Sequence, residues 1–132
     1  MLSASDDIKD MLEADSSLGL EFANNLFVGK EPTNPDNCVT IFDTPGYPPI
    51  LTLDGNGGLY YPSIQIRVRN RSLQLGMALA QSLMELLHGR HQETWNGTIY
   101  CAIACAGEPA LLDWDTNNRC RIIVDFNIQR RQ

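Results

Sequence analysis

Positive charge is scarce in this sequence: ten lysines and arginines stand against sixteen aspartates and glutamates, a formal net charge of -6 over 132 residues. That balance argues against general nucleic-acid binding, which relies on clustered basic side chains neutralising phosphates. It leaves proximity to DNA open, because an acidic surface repels a polyanion without gripping it. Long apolar runs are also missing, and none approaches the roughly 18 residues of a membrane span. The opening MLSASDDIKDMLEAD is acidic and amphipathic, unlike a secretory signal, so synthesis in a cytoplasm is expected.

The motifs of site chemistry are absent as well. No CxxC and no Cys/His ligand spacing occurs. Of the four cysteines (Cys38, Cys101, Cys105 and Cys120), Cys101 and Cys105 fall four apart on one predicted strand. That is roughly 13 Å, too far for a mutual disulfide, and all four read as small buried hydrophobes. No Walker loop, G-x-G-x-x-G or G-x-S-x-G is present. The stretch DGNGG starts like a calcium loop at Asp54 and Asn56, but Gly58 and Gln65 occupy its fifth and twelfth positions, so it reads as a hairpin tip. Two sequons, at Asn70 and Asn96, carry no weight without a secretory signal.

His88 and His91 are the only histidines and close the longest predicted helix, where cations favour its negative end. Glu85 and Glu93 lie close by in sequence, but no nucleophile accompanies them. Asp113, Asp115 and Asp125 lack a partner motif. No enzyme activity, cofactor or metal is expected.

What is present is a clear secondary-structure pattern. Residues 5–14 predict a short helix with a serine cap and Ile8, Met11 and Leu12 on one face. LFVGK (26–30) suits a short strand, EPTNPDN (31–37) a turn and CVTIFD (38–43) a better strand. Residues 44–62 hold four of the seven prolines, and 44–61 reads as a long loop, with a brief strand at Ile50 to Leu53. PSIQIRVRN alternates, with Ile64, Ile66 and Val68 on one face and Gln65, Arg67 and Arg69 on the other.

Ser72 then caps a helix over 72–89. Its predicted buried stripe is Leu75, Leu79, Leu83 and Leu86, widened by Leu73, Met77, Ala80, Met84 and Leu87, with Gly89 as the stop. A turn at Asn96-Gly97, a strand from Thr98 to about Ala106 and a closing strand over 119–130 complete a hairpin across 107–118. The expected fold is one α+β domain over 1–132. It has a mostly antiparallel sheet of about four to five strands, one long helix on a face and a short N-terminal helix.

The arginines form the one unusual constellation. Arg67 and Arg69 share a strand face, Arg71 follows, and Arg119, Arg121, Arg130 and Arg131 flank the last strand. They suit either a solvated face paired with carboxylates such as Asp125, or a charged contact surface between copies, where the guanidinium fork binds carboxylates in two places.

YPSIQIRVRNRS, the capped helix ending LLHGR, then WNGTIY and EPALLDWDTNNRCRIIVDFNIQRR together resemble the tail terminator and minor capsid proteins of long-tailed bacteriophages. The similarity spans roughly residues 5–130 and rests on order, with Gln65, Arg67, Arg69, Asn118, Arg119, Arg121, Phe126 and Asn127 at its recurring positions. It implies a virion protein of the tail or neck, made in the bacterial host cytoplasm. It further implies a ring, usually a hexamer, that caps the tail tube and meets the head-completion connector, with DNA passing nearby and no membrane. Other neck proteins, of the tail-completion and head-closure types, share this size. A small ligand-binding domain or enzyme and an arginine-face nucleic-acid module are the opposing classes. Expected contact residues are Gln65, Arg67, Arg69, Arg71, Arg119 and Arg121, together with Tyr47, Tyr60 and Tyr61 of the 44–61 loop, since aromatics anchor interfaces.

Overall fold

The computed structural model describes residues 1–51 and 58–132. Helix α1 (Ala4–Ala14) opens the chain. Its cap is Ser3, which accepts a hydrogen bond from the Asp6 N–H, and not Ser5. Ser5 is buried and instead donates its hydroxyl to Asp43, 2.6 Å away. Ile8, Met11 and Leu12 enter the core as the pattern predicts.

Among the described residues seven strands follow: β1 (Leu26–Val28), β2 (Cys38–Leu51), β3 (Gly58–Asn70), β4 (Glu93–Trp95), β5 (Thr98–Cys105), β6 (Ala110–Trp114) and β7 (Cys120–Arg131). They build one sheet ordered β1-β2-β3-β7-β5-β4, with β6 also on β7. The expected α+β class holds, but the sheet is larger than four to five strands and is mixed, because β1 runs parallel to β2.

The largest correction falls on residues 44–61. Its described parts are not a loop but the distal halves of β2 and β3, paired from Cys38 opposite Arg69 out to Leu51 opposite Gly58. The prolines misled because they cannot donate to a ladder. Here the register shifts lie between Thr44 and Tyr47 and between Tyr47 and Ile50, so Pro45, Pro48 and Pro49 sit in the irregularities. Beyond Ile41, β2 also has no second neighbour among the described residues, so its outer edge tolerates missing donors. Gly46 is required there, since a Cβ would lie 2.0 Å from the Tyr61 carbonyl oxygen. Residues 54–57 of the DGNGG stretch lie outside the described residues, as do Thr52 and Leu53 of the brief strand.

Helix α2 (Leu73–Leu87) starts at Ser72, which accepts from the Leu75 N–H. It lies on the β3–β7 face formed by Ile64, Ile66, Val68, Ile122, Val124 and Phe126. Its buried stripe is Gly76, Ala80, Leu83 and Leu87; Leu75 is 63% exposed and Leu73 40%. Ala80, Leu83 and Leu87 are buried as the pattern predicts, and Met77, Leu79, Met84 and Leu86 pack against the core; Leu73 and Leu75 are instead exposed, and Gly76, outside the predicted stripe, is buried. A Cβ on Gly76 would come 2.8 Å from the Ile122 Cδ1 atom. No helix among the described residues is long and apolar enough to cross a membrane.

Candidate functional site

Both helices cover one sheet face, which leaves the other to the chain's charged residues. Antiparallel register places Gln65 opposite Asp125 and Phe42, Arg67 opposite Ile123 and Thr40, and Arg69 opposite Arg121 and Cys38. Residues facing each other across antiparallel strands share a side, so these all project away from the helices.

At the end near Arg69, the turn 31–37 folds back over this face. Arg69 is buried, and its guanidinium donates to Glu31 Oε1 at 3.0 Å and to the carbonyls of Pro35 at 2.7 Å, Asp36 at 3.2 Å and Thr33 at 3.4 Å. Arg119, also buried, donates to Asp115 at 2.7 Å and to the Thr33 carbonyl at 2.6 Å. Arg121 makes a two-bond fork to Asp113, both at 2.7 Å, and lies 3.7 Å from Glu31. Arg71 donates to Asp36 at 2.7 Å. Glu31 therefore collects three arginines, with Arg67 the farthest at 4.0 Å.

Electrostatics follow from these contacts. The Arg71 hydrogen bond holds Asp36 below the usual carboxylate range. Burial pulls Asp115 upward, but the backbone and side-chain bonds from Arg119 outweigh it and leave the group lowered. The Asp113 fork raises Arg121.

Arg67 is different. It donates to Gln65 at 3.0 Å and stands 4.8 Å over the Phe42 ring, with its side chain 25% exposed. Gln65 in turn donates to Asp125 at 3.2 Å. The structure thus brings Arg69, Arg71, Arg119 and Arg121 onto the chain's own acids and carbonyls, and leaves Arg67, 4.0 Å from its nearest carboxylate, the most loosely held.

The tyrosines sit at the opposite end of the sheet. Tyr47 and Tyr61 are cross-strand partners and line a shallow hollow of about 230 Å³ with Ala102, Ala104, Asn127 and Gln129. Tyr60 faces the helix side, opposite Arg130. Tyr47, Ile50 and Leu51 are exposed by 69%, 54% and 85%.

A larger hollow, about 530 Å³, lies between the end of α2 and β5, lined by Met84, Glu85, His88, Cys105, Gly107 and Glu108. His88 Nδ1 accepts the Cys105 backbone N–H at 2.9 Å, while the Cys105 thiol donates to the Gly107 carbonyl. The histidine therefore seals an edge donor of β5 and is not a base for the thiol. His91 and Glu93 do not line this hollow; Glu93 clamps Arg90 at 2.7 and 2.9 Å, which lowers its pKa. Among the described residues no group of histidines, cysteines and carboxylates could hold a metal.

Two features escaped the sequence reading. Glu31 stood in a turn that was legible only as a turn. The buried Asp7, in the first turn of α1, accepts from Tyr100 and from Asn96 at 2.6 Å, and lies 3.7 Å from Arg130. Burial first, and the Asp7 bond second, push the Tyr100 phenol well above its ordinary value. The only signal was an acid in the first turn of an amphipathic helix.

These surfaces belong to an α+β domain whose arginines largely fasten its own sheet and turns. That fold is shared with a virion chain. A chain in the solved virion of a native gene transfer agent particle superposes with a TM-score of 0.71, covering 98% of this chain and 96% of that one at 13% identity. No curated protein matches. The family described as bacteriophage tail terminator protein matches residues 4–132, so the chain belongs to the bacteriophage tail terminator family and is a structural protein of the virion tail.

Proposed function

We propose that the protein acts as a ring, usually a hexamer in such proteins, that caps the finished tail tube and meets the head-completion connector. The observation that carries this is the family match over residues 4–132, nearly the whole of this sequence. Contacts in such a ring are heterologous, because each copy presents one surface and receives a different one. The helix-free sheet face, with Gln65, Arg67, Arg71 and Arg121 toward one end and Tyr47 and Tyr61 toward the other, supplies groups for subunit or tube contacts. A net charge of -6 suits a protein beside a DNA conduit, where a basic lumen would hold the genome through its phosphates.

Imaging of assembled tails tests this reading. The expected result is six-fold density from this chain at the upper end of the tube; one or two copies there would sink it.

A further inference from the structure

We propose that the β2–β3 arm of one copy docks on a platform formed by β6 and the start of α2 on the next copy, so that the chain joins to itself head to tail. This rests on the ring reading and names the surfaces that would build it.

Apart from Met1, Leu2 and Phe22, which lie before and after α1 in the chain, the exposed large apolar side chains fall into two groups. The arm carries Tyr47, Ile50 and Leu51, and the platform carries Leu75, Leu111 and Trp114, the last two exposed by 45% and 49%. Register assigns the platform: Leu111 pairs opposite Ile122 and Trp114 opposite Cys120, the two residues that α2 approaches at Gly76. The arm lies at the other end of β7, where Tyr60 faces Arg130. From Cys120 to Arg130 the strand runs about 33 Å at its usual rise. An arm cannot reach the platform of its own chain, so a contact between these two patches joins separate copies.

Chemistry narrows the mode. Residues 44–51, TPGYPPIL, contain no charge, and the one charged residue of β6, Asp113, is already forked to Arg121. Two copies at -6 each repel overall, and these neutral patches are where they can approach closely. Arm-on-arm pairing is disfavoured, because Pro45, Pro48 and Pro49 remove donors from the outer edge of β2. The platform strand β6 contains no proline and, among the described residues, pairs only with β7, so its outer edge remains open. Tryptophan and tyrosine at the two ends are the residue types that anchor interfaces.

The test uses the full chain with two substitutions, Leu51→Asp on the arm and Trp114→Asp on the platform, each read by sedimentation and native mass spectrometry. Each variant alone is expected to lose self-association by ~10-fold or more, with an unchanged thermal midpoint. Mixed in equal amounts, they should form a dimer through the one intact arm–platform pair and nothing larger. Milder changes, Leu51→Asn and Trp114→Ser, should act the same way if either aspartate impairs folding.

Three results overturn the proposal: a variant that assembles alone like the wild type, a mixture that stays monomeric, or a wild type monomeric even at about 1 mM, the weak end of specific association. Arm variants that self-associate normally but lose capture by tail tubes would assign the arm to the tube protein instead. Failure of the ring reading is separate. It would appear in tail imaging of the wild type, whereas the mixing experiment reads the contact whether or not it closes at six.

Discussion

The two ends of the sheet handle their exposed chemistry in opposite ways. At the Arg69 end, five arginines meet acids and carbonyls of the same chain, and the turn 31–37 is held down as a result. At the arm end, tyrosine, isoleucine and leucine stand in solvent with no cover among the described residues. A charge gathered in sequence is therefore not by itself an interface: arginine is costly to bury unpaired, so the fold supplies partners locally. Apolar side chains can be left exposed at modest cost and covered later by association.

The sharpest way to break this contrast is at Glu31. Replacing it with alanine leaves Arg69 buried without its carboxylate, and removal of one member of a buried pair costs about 3–5 kcal/mol. Glu31→Ala should therefore lower the thermal midpoint strongly, while Leu51→Asp at the other end leaves it unchanged. The double variant Glu31→Ala/Arg69→Met should lose less than the sum of the two single changes, a non-additivity that calorimetry can read. Additive losses would mean that Glu31 does not hold Arg69.

An acid titration separates the two ends more gently. Asp36 and Asp115 have folded pKa values below the ordinary 3.8, so the stability they contribute is present above that value and is lost as pH falls through their lower folded values. Unfolding followed from pH 5 downward should show this loss, and Asp36→Asn should flatten part of the slope. A slope unchanged by Asp36→Asn would show that the Arg71 contact adds nothing.

How much of this was legible in the sequence depended on the length scale of the cause. Alternation in PSIQIRVRN and the Ser72 cap are local, and both survived in the structure. The tail terminator resemblance, carried by the order of elements, was likewise sound. The prolines of 44–51 signalled a loop, because their compatibility with a strand depends on β2 being an edge with bulges, a property of the sheet and not of the segment. On α2 the pattern held for Ala80, Leu83 and Leu87 but placed Leu73 and Leu75 inside and passed over Gly76, which carries no hydrophobic signal, yet whose small size lets the helix approach Ile122. The partners of Arg69 lie 33 to 38 residues away in a turn, and no periodicity could assign them.

Arg67 gives the smallest expected effect and the one that joins the two behaviours. It shares the strand face of Arg69, yet its nearest carboxylate, Glu31, is 4.0 Å away and its guanidinium rests on Phe42. Removing it as Arg67→Ala should cost only about 0.5–1 kcal/mol, the scale of an exposed cation–π contact and a weak pair. Stability is thus nearly blind to this residue, and assembly is the informative measurement. If Arg67 reaches an acid on a neighbouring copy, self-association of Arg67→Ala should weaken most at low salt and converge with the wild type as salt screens the pair. Association equal to the wild type at every ionic strength would mean that Arg67, like Arg69, serves only its own chain, and that the contact between copies is apolar throughout.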